Sequence, residues 1–510
     1  MSNNSSLTTV GALNADKVLD KLGRWNRFGL SAFLLTNSIW ALAAMQMMTS
    51  AFIADVPHFE CRSQSAQEQT ISANNSCVYD DHLCGANNNS HFVFDKEFGE
   101  TIVSEFQLVC ERESLGEWST SGFMVGIMVG GLTLPTLADR YGRRPVLLVA
   151  VWFMGIFGQL SALAPSYTTF VIARFLAGSM YAGATMITWV LACESVAPRT
   201  RAYGTVLMGV FWTAGYVLLS PMAYYIRNWR WLITATSLPV LGTIVFIWTI
   251  PESLHWLIAN GKDEQTRRWL RMAERKGGVR VTLEDCLDDR PKPAPERRKQ
   301  NLLHLLQHPT LVVRTIIIAY LWLCDTFVYY GLSLFITKLA GDRFINFALS
   351  GAAELPAYFI APPLLNLFGR KWVVGGTHLL SGVSLLGLLF VPNDQMLLSV
   401  ALWLLGKFAI ACAFTCTLVY GAEVFPTTVR SAGMGICGVI SRFGGIIAPH
   451  VRTMEALNPI LPPLFFGVLS LVGALVTLAL PETLNRKLPE DIEDVTSKPL
   501  LKAEKTSIHL

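Results

Sequence analysis

The chain has 510 residues, 52% of them hydrophobic and 15% charged, a formal net charge of +4 and a mean hydropathy of +0.41. Soluble chains average about 25% charged residues, so this composition excludes an ordinary large soluble enzyme and points to a membrane protein. The slight positive balance forms no basic stripe with interleaved aromatics, which argues against a nucleic-acid surface.

Residues 1–27 are polar and lack an apolar core, so no cleavable signal peptide is expected there and the first apolar run serves as the insertion signal. Twelve apolar runs follow, starting near residues 28, 120, 145, 168, 204, 230, 312, 345, 372, 397, 431 and 460. Pro145–Ala164 and Leu461–Leu480 each supply the roughly 20 residues a spanning helix needs. The expected fold is an all-α membrane protein of twelve spans in two six-helix halves, 28–250 and 312–480, with tails at 1–27 and 481–510. Arg140, Arg143, Arg144, Arg199, Arg201, Arg370 and Lys371 collect on one side of this scheme. The other side is poorer, holding Arg227, Arg230, Lys338, Arg343 and Arg452. The positive side is expected to be cytoplasmic, with both termini.

Between the first two runs, residues 55–118 are polar and hold Cys61, Cys77, Cys84 and Cys110. Alternation places this segment outside the cell, where four cysteines read as two disulfides in one of three pairings. Sequons at Asn74 and Asn88 fall in the same segment and read as glycosylation sites. Residues 251–311 link the halves and are dense in both signs of charge, with apolar positions at helical spacing. Short amphipathic helices are expected there, followed by a basic linker at 290–299. The plain reading is a solvated face; binding to anionic lipid is the alternative.

The two halves repeat each other. Asp139-Arg140-Tyr141-Gly142-Arg143-Arg144 returns as Asn366-Leu367-Phe368-Gly369-Arg370-Lys371, an offset of 227 from Gly142 to Gly369. Glu194 with Arg201 and Gly204 returns as Glu423 with Arg430 and Gly433, 229 from glutamate to glutamate, and Pro251-Glu252-Ser253 returns as Pro481-Glu482-Thr483, 230 later. Duplicated halves are common in secondary transporters, which bind substrate between them near the bilayer midplane. A glycine at position 142 permits a tight turn, and Asp139 can pair with an arginine of a neighbouring helix. The expected gating set is Asp139, Arg140, Gly142, Arg143, Arg144, Glu194, Arg201 and Glu252, with Gly369, Arg370, Glu423, Arg430 and Glu482 in the second copy. The bland alternative is a topology signal from positive charge alone.

Motifs for other chemistry are missing or misplaced. Gly433-Met434-Gly435-Ile436-Cys437-Gly438 matches G-x-G-x-x-G but lies inside an apolar helix, where small residues let helices pack; Gly126 and Gly130 read the same way. There is no G-x-x-x-x-G-K-[ST], no H-E-x-x-H and no C-x-x-C. No cofactor, metal site or enzyme activity is expected.

The repeated motif resembles the signature of the major facilitator superfamily, and finer matches narrow it. The run Thr101–Cys110 with Phe94-Asp95 before it, Glu354-Leu355-Pro356-Ala357-Tyr358-Phe359, Gly421–Thr427 and Leu480–Leu484 resemble the organic cation, anion and zwitterion transporter family of solute carriers. The resemblance implies alternating access around one central site, in a multi-pass protein of the plasma membrane acting as a monomer on small organic ions. The chain departs from the superfamily motif in carrying Pro135 and Pro362 where glycine is usual, and Asn366 in place of the acid. The second latch is therefore expected to be weaker, and Pro135 to alter how the second helix ends.

Ionisable groups cost about 2.5–3.5 kcal/mol each at the centre of a spanning helix and tend to be functional. The candidates are Asp325, Glu354, Lys407 and Arg442, with Arg174 near the repeat position of Lys407. For Arg174 and Lys407 the alternative is a structural pair or a headgroup anchor. Resemblance sharpens Arg442: cation-selective members carry aspartate there, anion and zwitterion members arginine, and a guanidinium suits bidentate carboxylate recognition. An organic anion or carnitine-like zwitterion is expected, with an organic cation as alternative, since Glu354 can hold a cation or balance Arg442. Trp212, Tyr216, Trp322, Tyr329 and Tyr330 are the candidate cavity aromatics. At the repeat offset, Arg442 falls on Thr213 and Glu354 on Gly126. The unshared residues are expected to select the substrate.

Overall fold

The computed structural model describes residues 14–23, 26–63, 90–95, 97–280, 307–339, 341–392, 394–486, 489 and 492. The chain divides into two compact units, Met1–Pro295 and Glu296–Leu510, each carrying six of the expected spans. In the first unit these are Arg27–Met48 with its continuation Ser50–Ile53, Glu113–Tyr141, Arg143–Ala162, Tyr167–Glu194, Ala202–Tyr225, and Trp229–Leu241 prolonged through Phe246–Thr249. In the second they are Pro309–Phe335, Arg343–Phe368, Arg370–Gly387, Met396–Val424, Arg430–Ile447 and Leu461–Thr477. Eleven are long and apolar enough to cross a bilayer, and the last is a 17-residue apolar helix, at the short end of the spanning range of about 17–25 residues. It stops before the expected Leu480, tightening after Thr477 into turns in which Leu478, Ala479 and Leu480 donate to Leu475, Val476 and Thr477 ahead of Pro481.

Each unit has its own core, built where small residues let helices close. A Cβ at Gly126 would sit 2.1 Å from the Phe175 carbonyl oxygen, and one at Gly130 1.9 Å from that of Ser179, so the second and fourth spans meet backbone to backbone. Leu132, Ile172 and Trp231 in the first unit, and Ile316, Ile345 and Leu475 in the second, point outward and exposed. In a bilayer such side chains meet lipid tails, while all backbone polar groups are satisfied within the helices.

Three expectations change. Residues 15–22, read as part of a polar tail, form an amphipathic helix, Ala15–Leu22, N-capped by the Asn14 side chain. Its Ala15, Val18, Leu19 and Leu22 pack on Leu254, Leu257, Trp269 and Leu270, which belong to the expected amphipathic helices of the central link, Leu254–Ala259 and Asp263–Gly277. Secondly, Pro135 does not end the second span: the helix runs through it to Tyr141, and the eighth span likewise runs through Pro362 to Phe368. Thirdly, the segment after the first span is more than a polar loop. Strands β1 (Phe59–Ser63) and β2 (Ser90–Phe94) form an antiparallel hairpin with Phe59 opposite Phe94, and the helical turn Ile102–Glu105 carries a Thr101/Ser104 capping box. Glu105 accepts from Trp229 Nε1 at 2.7 Å and pairs with Arg230 at 2.5 Å, pinning this segment to the start of the sixth span. Cys110 is disulfide-bonded and Cys61 lies in β1. Cys77, Cys84, Asn74, Asn88 and the linker at 290–299 lie outside the described residues.

Candidate functional site

The repeated motif builds the same device at one end of each half. Gly142 (φ +111) and Gly369 (φ +89) each turn the chain from one span into the next. A Cβ on either would lie 2.5 Å from a carboxylate oxygen, of Glu252 and of Glu482 respectively. Those carboxylates cap the helix that follows. Glu252 Oε1 accepts the backbone N–H groups of Arg143 and Arg144, both at 3.0 Å, and Glu482 accepts those of Arg370 and Lys371 at 2.9 and 3.1 Å. A helix N-terminus presents unpaired N–H groups and the positive end of its dipole, so an acid there is stabilised on both counts. Burial pushes the Glu252 carboxyl up from its ordinary value, against the N–H groups of Ser253, Arg144 and Arg143 that hold it charged, and the net direction is upward.

The two copies differ in how the arginine is shared. Arg143 lies 2.9 Å from Asp139 and 3.3 Å from Glu194. Arg370, beside Asn366, instead gives Nε and a terminal nitrogen to the two oxygens of Glu423 at 2.9 and 3.0 Å. Within its own half the second copy therefore forms the better-aligned pair, because no second acid competes for the fork. Asp139 pairs, as expected, with an arginine of the neighbouring helix, Arg143 at the start of the third span. Arg144 donates to the Ile247 carbonyl, while Arg140 is exposed beside the Tyr141 ring. Arg201 bonds the Cys193 carbonyl at 2.9 Å and Asp16 of the N-terminal helix at 2.5 Å, and Asp16 also meets His255 Nε2 at 2.9 Å. Burial alone would raise the Asp16 carboxyl, but His255 and Arg201 hold it below the ordinary value. The equivalent Arg430 donates to the Phe425 carbonyl at 3.4 Å, and makes no ion pair among the described residues.

Deeper in the second half, three spans, the seventh, eighth and tenth, meet at Glu354, which is fully buried. Lys407 Nζ approaches Glu354 Oε1 at 2.9 Å, the Tyr329 hydroxyl donates to Oε2 at 2.8 Å, and that of Tyr358 reaches Oε2 at 3.4 Å. Lys407 also donates to Ser333 Oγ at 2.6 Å and sits 3.2 Å above the Tyr329 ring centre. Both charges are thus paired and hydrogen-bonded, as burial requires. Arg442 is partly exposed within the eleventh span, within electrostatic reach of Tyr330, and makes no hydrogen bond or ion pair among the described residues. Tyr330 packs edge-on against Tyr329 at 5.1 Å, and Trp322 packs on the core cluster of that half. Glu354 therefore balances Lys407, not Arg442.

Asp325 stands apart from this cluster. It is fully buried opposite His378 of the ninth span, with Nε2 at 3.2 Å from Oδ1. In the first half, Arg174 is also fully buried, bonded to Ser50 Oγ at 2.7 Å and the Gln46 carbonyl at 3.4 Å, with its guanidinium 4.3 Å over Phe123; burial rules out a headgroup anchor. Trp212 and Tyr216 are buried in that half, Trp212 against Trp40. Sequence reasoning missed His378, Tyr358 and Ser333. Tyr358 had a signal, lying four residues after Glu354 and hence on the same helix face. His378 had one too, as an ionisable group in an apolar span.

Comparison with known proteins agrees with the architecture. A family model for sugar (and other) transporters matches residues 11–494. The partially occluded, inward-open xylose transporter of E. coli superposes with a TM-score of 0.63 at 18% identity, over 91% of this chain and 99% of that one. An organic cation transporter protein of Drosophila melanogaster is 35% identical over 79% of this chain and 76% of its own length. Organic anion transporter 3 of Homo sapiens is 33% identical over 78% and 74%, and a Caenorhabditis elegans transporter 32% identical over 98% and 95%. Fold and relatives define a multi-span membrane transporter of the major facilitator superfamily. Within it, the chain belongs to the organic cation and anion transporters of the sugar (and other) transporter family.

Proposed function

We propose that this transporter carries organic anions or carnitine-like zwitterions across the plasma membrane by alternating access, with Arg442 as the group that meets the substrate carboxylate. One observation carries the reading. Glu354 is neutralised by Lys407 and held by Tyr329, whereas Arg442 has no partner among the described residues. An unpaired guanidinium in a spanning helix is costly unless something binds it. Tyr330, within electrostatic reach of Arg442, and Trp322 of the same span would meet the substrate's apolar part. The capped arginines at Gly142 and Gly369 act as the gating set, cytoplasmic like both termini. The segment carrying the β-hairpin faces outward, with two disulfides among Cys61, Cys77, Cys84 and Cys110 and glycans at Asn74 and Asn88.

Competitive uptake of anionic, zwitterionic and cationic probes tests this in wild type and Arg442→Asp. Wild type is expected to favour the first two, and the variant to shift towards cations. Unchanged uptake of every class by the variant would sink the role of Arg442. An organic cation as substrate is the second reading, supported by the Drosophila relative; it requires Glu354 to give up Lys407, so Lys407→Ala would then raise cation uptake. Binding without flux in proteoliposomes would instead make the chain a receptor.

A further inference from the structure

We propose that Asp325 and His378 form a proton-binding site in the second half, through which transport is linked to a proton. The pair joins the seventh and ninth spans, and both side chains are fully buried. His378 Nδ1 lies 2.9 Å from the Val374 carbonyl oxygen, which can only accept, so that nitrogen carries a hydrogen. Nε2 faces Asp325 Oδ1 at 3.2 Å, and neither Nε2 nor either carboxylate oxygen has a well-formed hydrogen bond. The gap therefore accommodates one exchangeable proton, on Nε2 as imidazolium facing carboxylate, or on the carboxyl facing neutral imidazole. Either way the loaded pair has no net charge. Unloaded, it keeps the Nδ1 hydrogen and carries one buried negative charge, which apolar surroundings oppose. Release thus requires water or a compensating charge to reach the pair, an event that a transport cycle supplies by opening the half to one side and then the other.

The contrast with the neighbouring pair separates this site from a structural bridge. Glu354 and Lys407 form a 2.9 Å ion pair in which Glu354 Oε2 also accepts from Tyr329 and Tyr358, and Lys407 also donates to Ser333. Asp325 and His378 are unsaturated, and histidine is the side chain whose ordinary titration falls near neutrality. The titratable groups close by are Cys324 and Tyr320 of the seventh span and Cys416 of the tenth. Thr417 lies beside Asp325, and Ser470 of the twelfth span beside Cys324; neither titrates. Among the described residues no lysine or arginine contacts the pair, so nothing else there neutralises the carboxylate. The twelfth span also makes the room: a Cβ on Gly473 would stand 2.6 Å from His378 Cδ2.

The site binds one proton from water on one face and returns it on the other, with no other bond made or broken. Proteoliposomes loaded with a trapped pH-sensitive dye test it, using a probe that the uptake screen finds to be carried. Wild type is expected to accumulate that probe several-fold under an imposed proton gradient and to move protons when the probe gradient drives flux. His378→Gln and Asp325→Asn are expected to exchange the probe between faces while losing the gradient response. If either fails to reach the membrane, Asp325→Asn/His378→Gln keeps the test open, since its two amides bridge the same gap without charge. A wild type indifferent to the proton gradient, or a His378→Gln variant that retains the full response, overturns the proposal.

Discussion

Arg174 and Lys407 lie on the equivalent fourth and tenth spans, about one helical turn from matching positions, and both are fully buried over an aromatic ring. Arg174 is satisfied by a serine hydroxyl and a backbone carbonyl. Lys407 faces Glu354. The same contrast runs in reverse at the motif ends, where Arg143 is divided between two acids and Arg370 is committed to one. Both halves keep a cation on these elements, and what answers it differs. The partner, more than the position, separates a structural cation from one placed for chemistry.

The sharpest way to break this comparison is to remove both cations in turn. Lys407→Met leaves a carboxylate buried without its counter-charge, which typically costs about 3–5 kcal/mol. Arg174→Met forfeits hydrogen bonds from a charged group, about 1.5–3 kcal/mol each, and leaves no buried charge behind, since Ser50 Oγ and the Gln46 carbonyl are neutral. Thermal unfolding in detergent should therefore rank Lys407→Met lower, and Lys407→Met/Glu354→Gln should recover much of the loss. Equal losses, or no recovery, would remove the distinction.

The capping acids come next. Glu482→Gln should cost about 1.5–3 kcal/mol by losing charged hydrogen bonds to helix N–H groups. Glu252→Gln should cost less, because burial already works against its charge. A raised folded value means that protonation favours the folded half: the Glu252 contribution is greatest below its ordinary value of 4.5 and declines as pH rises through the raised one. Glu252→Gln should flatten that part of the stability profile, and an unchanged slope would contradict the assignment.

Asp16 has the opposite sign. Its lowered value makes the docking of helix Ala15–Leu22 strongest above the ordinary 3.8 and lost as pH falls through the folded value. Asp16→Asn should mimic that loss at neutral pH, read as faster proteolytic cleavage near residue 23. The smallest effect is expected from Asp139→Asn, which turns the first motif into the second. Asp139 is 72% exposed, and exposed pairs contribute at most about 1 kcal/mol, so stability should scarcely move while Arg143 closes on Glu194.

The spans were legible because length and hydropathy alone define them, and the repeat was legible because glycines and acids recur at one offset. The pairing of Glu354 was not, since nothing in a linear sequence sets the register between the eighth and tenth spans; Arg442 was an equally good partner on paper. His378 stood out only as an ionisable group in an apolar run, and its pairing was not legible because its acid lies 53 positions earlier. The helix at 15–22 was overlooked because two turns with four apolar residues do not stand out from a polar tail. Only the tryptophans and leucines of the central link give those residues a face to meet.

That helix also imposes an order of events on synthesis. Asp16 and its partner His255 are 239 positions apart, and all six spans of the first half are made between them. At about 5–20 residues per second, the apolar face of Ala15–Leu22 waits roughly 10–50 s for Leu254, Trp269 and Leu270 to emerge. Its docking can therefore happen only after the sixth span has been translated, so this contact cannot form until the first half has been made.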